Sequence, residues 1–211
     1  MLRRDAAETA GGRRIDKVLM ILEVIVSTMD EAGKINLAPM GVSWEGERLL
    51  VQPYRDSATF RNLTLNGQGV VNFTDNVLVF ARCALGEAPF RTFPARKIRG
   101  TVLADTCHWK EFEVETADRI QDRARFLCRV VEEGRVRDFV GLNRAKHAVI
   151  EAAIAASRIP WLGGEAVALQ IEALAPLIDK TAGPQEREAF DFLRGYVQRK
   201  EGSRVSPKEA S

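Results

Sequence analysis

The sequence predicts an α+β fold: a small closed antiparallel β-barrel with short helices at its junctions, followed by a helical part. Two observations predict it. Many short runs of branched apolar residues follow one another with tight turns between them, as in small barrels. Beyond about residue 140, apolar residues recur with helical spacing instead. We therefore expect a barrel domain over residues 17–140, a helical part over 141–200 packed on it, and flexible tails at 1–16 and 201–211.

The composition limits the class of protein. The chain has 211 residues, 45% of them hydrophobic, which is enough for one sizeable core. Its 31 basic and 29 acidic side chains leave a net charge of +2, which gives no electrostatic case for a nucleic-acid or membrane partner. No stretch approaches the roughly 20 apolar residues of a membrane helix. The N-terminal residues lack the apolar core of a secretory signal.

The three cysteines, Cys83, Cys107 and Cys128, show no CxxC spacing. An odd number without such spacing is typical of reduced, buried thiols and not of a metal site. We therefore expect a cytoplasmic protein without a bound metal.

The first half of the barrel domain has the pattern of an antiparallel meander. Strands are predicted at residues 18–28, 34–44 and 49–54, and the short turns between them, which leave no room for a helix, imply that they are antiparallel. Ser57 or Asp56 then caps a short helix that ends at Gly67. Residues 69–74 form a fourth strand.

The second half of the domain carries weaker signals. We expect Asp75 to cap a second helix, which ends at Gly86. Residues 87–100 are expected to be irregular, because they contain prolines and a basic cluster. Two further strands are predicted at about 109–118 and 123–133.

Three helices are predicted in the C-terminal part. Asn143 caps the first, over residues 144–157. The second spans residues 165–174, and Pro184 takes the first position of the third, over about 184–200. In the first helix a face of small residues suits close helix packing: Ala148, Ala152, Ala155 and Ala156.

The stretch "NLAPMGVSW", residues 36–44, weakens its own strand. Proline cannot donate to a sheet ladder, and glycine has no side chain to pack. Small residues let a flat ring approach the backbone, and a flavin could partner the freed N–H and C=O groups. The alternative is a bulge that bends the barrel and binds nothing. Alternation places Asn36, Ala38, Met40 and Val42 on one face and Leu37, Pro39 and Gly41 on the other.

The stretch "PYRDSATFRNL", residues 53–63, has the composition of a phosphate site. A helix start presents unpaired N–H groups and a partial positive charge, and arginine and hydroxyl side chains add donors. The residues concerned are Arg55, Ser57, Thr59 and Arg61, with Asn62 about one turn beyond Thr59. In the alternative, Asp56 pairs with Arg55 or Arg61, and Ser57 is only a helix cap.

Together with "GQGVVNFTDNVLVFA", residues 67–81, these stretches resemble the FMN-binding split β-barrel of flavin reductases and pyridoxamine-phosphate-oxidase-like proteins. The chain is most similar to a branch found in methanogenic archaea and methanopterin-using bacteria, which residues 139–159 and 179–190 also resemble. The likeness covers most of residues 17–195.

The resemblance implies a split barrel and a homodimer with FMN near the subunit interface. It implies backbone contacts to the flavin ring from Asn36, Ala38, Pro39, Met40 and Gly41. Phosphate and ribityl contacts are implied for Arg55, Asp56, Ser57, Thr59 and Asn62. Asn72 either faces the ligand or makes a structural hydrogen bond at a strand end.

Three further features have both a functional and a structural interpretation. His108, beside Trp109, either faces the ring or packs at a strand start. His147 stands where a small residue is expected from the resemblance, and a lone histidine on a helix is usually a surface or interface residue. Residues 91–99 form either a lid over a phosphate or anionic substrate, or a solvated loop.

The resemblance implies an oxidoreductase that passes hydride through FMN to a small substrate. NAD(P)H or a reduced pterin of tetrahydromethanopterin metabolism is the expected partner. A non-catalytic flavin-binding or flavin-sensing dimer is the alternative, and a barrel without flavin whose helices bind a partner is a third. The chain has no GxGxxG, P-loop, GxSxG or HExxH motif, and its residues identify no catalytic acid or base.

Overall fold

The computed structural model of the chain describes residues 20–87 and 90–202. The strands are β1 (Leu22–Met29), β2 (Ile35–Glu45), β3 (Arg48–Val51), β4 (Gln68–Phe73), β5 (Thr92–Pro94), β6 (Thr101–Leu103), β7 (His108–Asp118) and β8 (Arg125–Arg135). The helices are α1 (Ala58–Asn66), α2 (Val77–Ala84), α3 (Arg144–Ser157), α4 (Ile159–Leu162), α5 (Gly164–Glu172), α6 (Ala175–Thr181) and α7 (Pro184–Gly202). The predicted tail at 1–16 and most of that at 201–211 lie outside the described residues.

Six strands close into an antiparallel barrel. Around it the order is β1-β2-β3-β8-β7-β4. β4 closes the barrel, because it pairs with β1 on one side and with β7 on the other. The predicted α+β fold is therefore confirmed, and each of the six predicted strands contributes to the barrel.

The expectation that residues 87–100 are irregular is wrong in part. β5 pairs with β6 in a short antiparallel hairpin, with Thr92 opposite Leu103. A three-residue strand is too short to show alternation, and Pro94 argues against a strand except at an edge. The hairpin packs on the outside of the barrel, where Leu103 joins Ile25 of β1 and Val102 joins Val70 of β4.

Branched and aromatic side chains fill the barrel. Val24 and Val26 of β1 point inward and pack with Phe112 and Phe126. Ile25, between the two valines, points outward and is equally buried, because α2 covers this face of the sheet. The continuous apolar run of β1 thus reflects burial of both its faces.

Helix α2 connects the barrel to the helical part. One of its faces, with Val79 and Phe80, packs on Ile25 outside the barrel. The opposite face, with Val77 and Ala81, belongs to the core of the C-terminal helices. The helical part therefore docks on the barrel through a helix that belongs to the barrel half of the chain.

The predicted small-residue face of α3 is confirmed, because all four of its alanines are buried. They share one core with Phe190 and Leu193 of α7. Small side chains let neighbouring helix axes approach closely, which suits a helix packed between α2 and α7. No helix in residues 20–87 and 90–202 combines the length and apolar character needed to cross a membrane.

Most helix ends follow their local signals. The Ser57 hydroxyl caps α1 by accepting a hydrogen bond from the Phe60 N–H at 3.1 Å. Gly67 ends that helix in the left-handed conformation, with φ of 63°. Asn143 caps α3, and Pro184 is the first residue of α7, as predicted.

Asp75 does not cap α2, so this prediction is wrong. Asn76 Oδ1 accepts hydrogen bonds from the N–H groups of Leu78 and Val79, at 3.1 and 3.3 Å. Asn76 is the residue immediately before the helix, whereas Asp75 turns its carboxylate to Arg137. Asparagine and aspartate cap equally well, so only the position of the helix start decides between them.

Candidate functional site

Half of β2 is unpaired along one edge. The strand pairs with β1 from Ile35 to Val42, whereas its pairing with β3 begins only at Val42. Within the described part of the chain, no backbone group of residues 36–41 has a hydrogen-bond partner beyond the β1 ladder. Free N–H and C=O groups along this edge are available to a ligand with a polar rim.

Pro39 lies in the middle of this free edge. It stands opposite Ile25 in a register that runs without interruption from Leu22 to Met29, so the stretch contains an edge and not a bulge. The predicted alternation agrees with the packing, because Met40 packs inside the barrel and Leu37 packs outside it.

The space beside Gly41 is filled by side chains of the chain itself. A Cβ atom added at Gly41 would collide with Ile21, and it would lie 3.6 Å from a carboxylate oxygen of Glu23. Burial raises the pKa of Glu23, the negative charge of Glu151 raises it further, and Arg123 opposes both. Sequence reasoning missed Glu23, whose only signal is an acidic residue within an apolar run.

A polar cluster joins β1, β2 and α1. Asn36 Nδ2 donates to Thr28 Oγ1 at 3.3 Å and to Thr59 Oγ1 at 3.0 Å. Asn62 Nδ2 donates to the same Thr28 oxygen at 3.0 Å. Three predicted site residues therefore meet beside the start of the free β2 edge. Thr28 was not predicted, although the polar pair Ser27 and Thr28 at the end of an apolar run was its signal.

The first turn of α1 presents donor groups. The Ser57 hydroxyl is occupied, because it caps the helix and donates to the Tyr54 carbonyl at 2.6 Å. The N–H groups of Ala58 and Thr59 have no acceptor in the described ranges. A helix start with unpaired N–H groups attracts an anion.

Arg55 and Asp56 precede this turn and are exposed. The Arg55 N–H donates to the Asp122 carbonyl at 3.1 Å, whereas its guanidinium makes no ion pair with any residue that the structure describes. Arg61 Nη1 donates to the backbone carbonyl of Asp56 at 2.7 Å. The alternative in which the Asp56 carboxylate pairs with Arg55 or Arg61 is therefore not found.

Asn72 is separate from these residues and fully buried. Its Nδ2 donates to the Ile25 carbonyl at 3.0 Å and to Ser27 Oγ at 3.1 Å, and its Oδ1 accepts from the Leu103 N–H at 2.8 Å. These bonds tie β4 to β1 and β6. Of the two interpretations given for Asn72, this geometry matches the structural hydrogen bond and not a side chain that faces a ligand.

The two histidines occupy different surroundings. The His108 ring stacks on Phe73 with 4.1 Å between centroids. Burial lowers the pKa of His108, and the charge of Lys110 lowers it further. His147 is exposed on α3. Across residues 20–87 and 90–202 there is also no group of three or more His, Cys, Asp or Glu side chains arranged to hold a metal ion.

Family models match most of the chain. The N-terminal domain of a protein family described as of unknown function (DUF447) matches residues 22–137. The second model of the same family matches residues 143–195.

The chain is similar to several solved structures. A crystal structure of an FMN-bound DUF447 protein from Methanosarcina mazei is 24% identical with a TM-score of 0.74, over 83% of this chain and 94% of that one. The styrene monooxygenase flavin reductase from Pseudomonas putida S12 is 18% identical with a TM-score of 0.47, over 54% and 77%. An FMN-binding protein from Thermus thermophilus is 14% identical with a TM-score of 0.48, over 64% and 82%. Of these three structures, the first has a TM-score above 0.5, and it supports the split-barrel fold.

Proposed function

Because the chain belongs to the DUF447 family and shares its fold with an FMN-bound member, we propose that it is an FMN-binding flavoprotein. One observation carries the proposal: the free edge of β2 lies beside α1, and Asn36 and Thr59 join the two through a hydrogen bond of 3.0 Å. FMN combines a flat ring that has a polar rim with a phosphate dianion. These two parts match the free strand edge and the helix start.

The flavin ring lies along the β2 edge in this proposal. Carbonyl and N–H groups of the edge face the rim of the ring, with Pro39 offering only its carbonyl. The edge fits such a ring because its backbone groups have no other partner in the part of the chain that the structure describes. The residues concerned are Asn36, Ala38, Pro39, Met40 and Gly41.

The phosphate lies at the start of α1. Arg55 supplies the charge, and the N–H groups of Ala58 and Thr59 supply further donors. Asn62 and the Thr59 hydroxyl face the ribityl chain. Asp56 contributes only its backbone, because its carboxylate would repel a phosphate.

Two residues predicted to contact FMN are given no direct contact with it in this proposal. Ser57 shapes the helix start as its cap. We leave Asn72 out of the site, because its amide is fully used inside the protein.

We further propose that the protein is an oxidoreductase. Bound FMN supplies the hydride chemistry, and the chain binds and orients the flavin. The donor is NAD(P)H or a reduced pterin, and the acceptor is a small molecule. Three free, buried cysteines support a cytoplasmic location for this reaction.

We also propose that the protein is a homodimer. The connector between β8 and α3 carries Phe139, Val140 and Leu142, which are 56%, 81% and 86% exposed. Apolar side chains gathered on one short segment are typical of an interaction surface. A second copy would cover them.

An absorption spectrum of the freshly purified protein tests the flavin, and anaerobic addition of NADH or NADPH tests the redox role. We expect the two bands of an oxidised flavin, and their loss when the donor is added. A protein that binds FMN but is bleached only by dithionite would be a flavin-binding dimer without this activity. A protein that neither carries nor takes up FMN would contradict the proposal.

A further inference from the structure

A short basic loop, residues 95–100, joins β5 to β6. Its cations Arg96, Lys97 and Arg99 are all exposed, and it contains no acidic residue. Its ends are tied by a hydrogen bond from the Ala95 N–H to the Gly100 carbonyl, at 3.0 Å. The basic loop is therefore a closed hairpin tip with three positive charges on its surface.

Glu111 of β7 holds the basic loop from inside. Its side chain is fully buried, and its carboxylate accepts hydrogen bonds from the consecutive N–H groups of Arg96, Lys97 and Ile98, at 2.6, 2.8 and 3.2 Å. A buried carboxylate needs such donors, and successive N–H groups around an anion form a fixed concave turn. The loop is thus a rigid support for its cations, which argues against the lid interpretation.

Contacts with neighbouring residues also hold the two arginines of the basic loop. The Arg96 guanidinium lies 5.0 Å from the centroid of the Trp109 ring, and Arg99 Nη2 donates to the Glu31 carbonyl at 2.9 Å. Each guanidinium has five N–H donors, so most of them stay available. The Lys97 ammonium has no partner among the residues that the structure describes.

Within the part of the chain that the structure describes, several other cations of the barrel have carboxylate partners, unlike Lys97 and Arg99. On β8, three arginines each pair with a carboxylate: Arg125 with Glu45, Arg129 with Glu113, and Arg135 with Asp138. In the basic loop only Arg96 has a carboxylate in reach in the described ranges, that of Glu132 at 3.8 Å. Like charges held close together repel each other, and Lys97 and Arg99 have no carboxylate partner among the described residues to offset that repulsion.

We propose that the basic loop is an anion-binding site for the phosphate group of a soluble ligand other than FMN. The Arg99 guanidinium and the Lys97 ammonium, carried by a rigid turn, suit the several oxygens of a phosphate or pyrophosphate, whereas Arg96 is turned towards Glu132 on β8. The site is small, because the Glu132 carboxylate lies 3.8 Å from Arg96 at one side of it. A long polyanion would meet this carboxylate, which favours a single phosphate-bearing molecule.

The basic loop contacts the turn that leads into the free edge of β2. Arg99 contacts Glu31 in the turn between β1 and β2, and the paired residues Thr28 and Asn36 lie at the base of that turn. A molecule anchored by its phosphate on the loop extends towards the start of the β2 edge. The inference that this molecule is the second substrate rests on the proposed function. The inference that the basic loop binds an anion does not.

Calorimetric titration with inorganic pyrophosphate at low ionic strength tests the site on the full chain. FMN is added in excess to fill the α1 start. We expect the double variant Lys97→Ala/Arg99→Ala to bind pyrophosphate at least about ten-fold more weakly than the natural protein. Arg91→Ala is the matched control, because Arg91 is an exposed arginine at the base of the same hairpin. Its affinity should not change.

A second control separates the two proposals. With FMN in excess, Arg55→Ala should bind pyrophosphate as the natural protein does, because Arg55 lies at the α1 start and not in the basic loop. Equal affinity in the double variant and the natural protein would overturn the basic-loop site. No pyrophosphate binding, with binding of an acidic peptide that the double variant loses, would overturn it in favour of a protein partner. Loss of pyrophosphate binding in Arg55→Ala alone would place the anion at α1 and also overturn it.

Discussion

Asp75 follows β4, and its side chain, 3% exposed, contacts both the connector that follows β8 and helix α3. Arg137, just beyond β8, lies 2.6 Å from it, and Lys146 of α3 lies 3.3 Å from it. The Val140 N–H donates to the same carboxylate at 2.9 Å. Burial raises the pKa of Asp75, but the hydrogen bonds from Arg137 and Val140 and the charges of Lys146 and Arg137 outweigh it and lower the pKa to about 2.

Removing this charge should destabilise the protein strongly. Asp75→Asn leaves Lys146 without its carboxylate partner and Arg137 with only that of Asp105, at 2.8 Å, which we expect to lower the free energy of unfolding by about 3 kcal/mol. Urea unfolding followed by circular dichroism measures the loss. The control is Asp138→Asn, which removes an exposed partner of Arg135 and should cost less than about 1 kcal/mol. Equal costs would show that Asp75 is not a buried anchor.

The same residue should make stability depend on pH. The folded pKa of about 2 lies below the ordinary value of 3.8, so the contribution of Asp75 is fully present above that value and is lost as pH falls towards 2. Between pH 5 and pH 2 we expect the natural protein to lose about 2 kcal/mol more unfolding free energy than Asp75→Asn. Urea unfolding of both proteins at several pH values checks this. Parallel pH curves would contradict it.

At the scale of elements, helices with strong local signals were predictable. Ser57, Asn143 and Pro184 mark helix starts by their own chemistry, and the structure has the helices there. β5, β6, α4 and α6 were missed, because elements of three to seven residues are too short to show a period. Asp75 was misassigned, because its burial is decided by Arg137, which is distant in the chain.

The candidate site was predictable only in part, for the same reason. Asn36, Thr59 and Asn62 lie in stretches whose proline, glycine and hydroxyl residues are unusual for their elements. Asn72 has no such context: a polar residue in a strand has the same sequence pattern whether it faces a ligand or the interior. Its bonds to β1 and β6 depend on how the barrel closes.

Helix α3 should not tolerate bulk on its alanine face. Ala152 is fully buried between α2 and α7, so Ala152→Leu would force these helices apart and lower the free energy of unfolding by about 1–3 kcal/mol. Glu151→Leu, which places the same side chain at the neighbouring exposed position, should change it by less than about 0.5 kcal/mol. Thermal or urea unfolding compares the two. A tolerated leucine at position 152 would mean that the helices do not pack closely there.

At the scale of the whole molecule, the split barrel and the helical part share α2, and the connector between β8 and α3 is held by Asp75. The connector therefore presents its apolar side chains from a fixed base. This arrangement supports its role as the proposed contact between two copies.

A charge in the connector should dissociate the dimer. We expect Leu142→Glu to shift the mass in solution from dimer to monomer, because a buried carboxylate without a partner is costly. Leu169→Glu is the control, because Leu169 is an exposed leucine on α5 and should leave the mass unchanged. Light scattering coupled to gel filtration measures both. A Leu142→Glu protein that stays dimeric would exclude the connector from the interface.

The most direct test of the FMN site is a titration of the flavin-free protein with FMN, followed by quenching of flavin fluorescence. We predict saturable binding that Arg55→Ala weakens by about 1.5–3 kcal/mol, the range of a charge-assisted hydrogen bond. Arg158→Ala, an exposed arginine of the helical part, should bind FMN as the natural protein does. Unchanged affinity in Arg55→Ala would contradict the proposed phosphate site at the start of α1. No FMN binding by the natural protein would contradict the proposal that it is a flavoprotein.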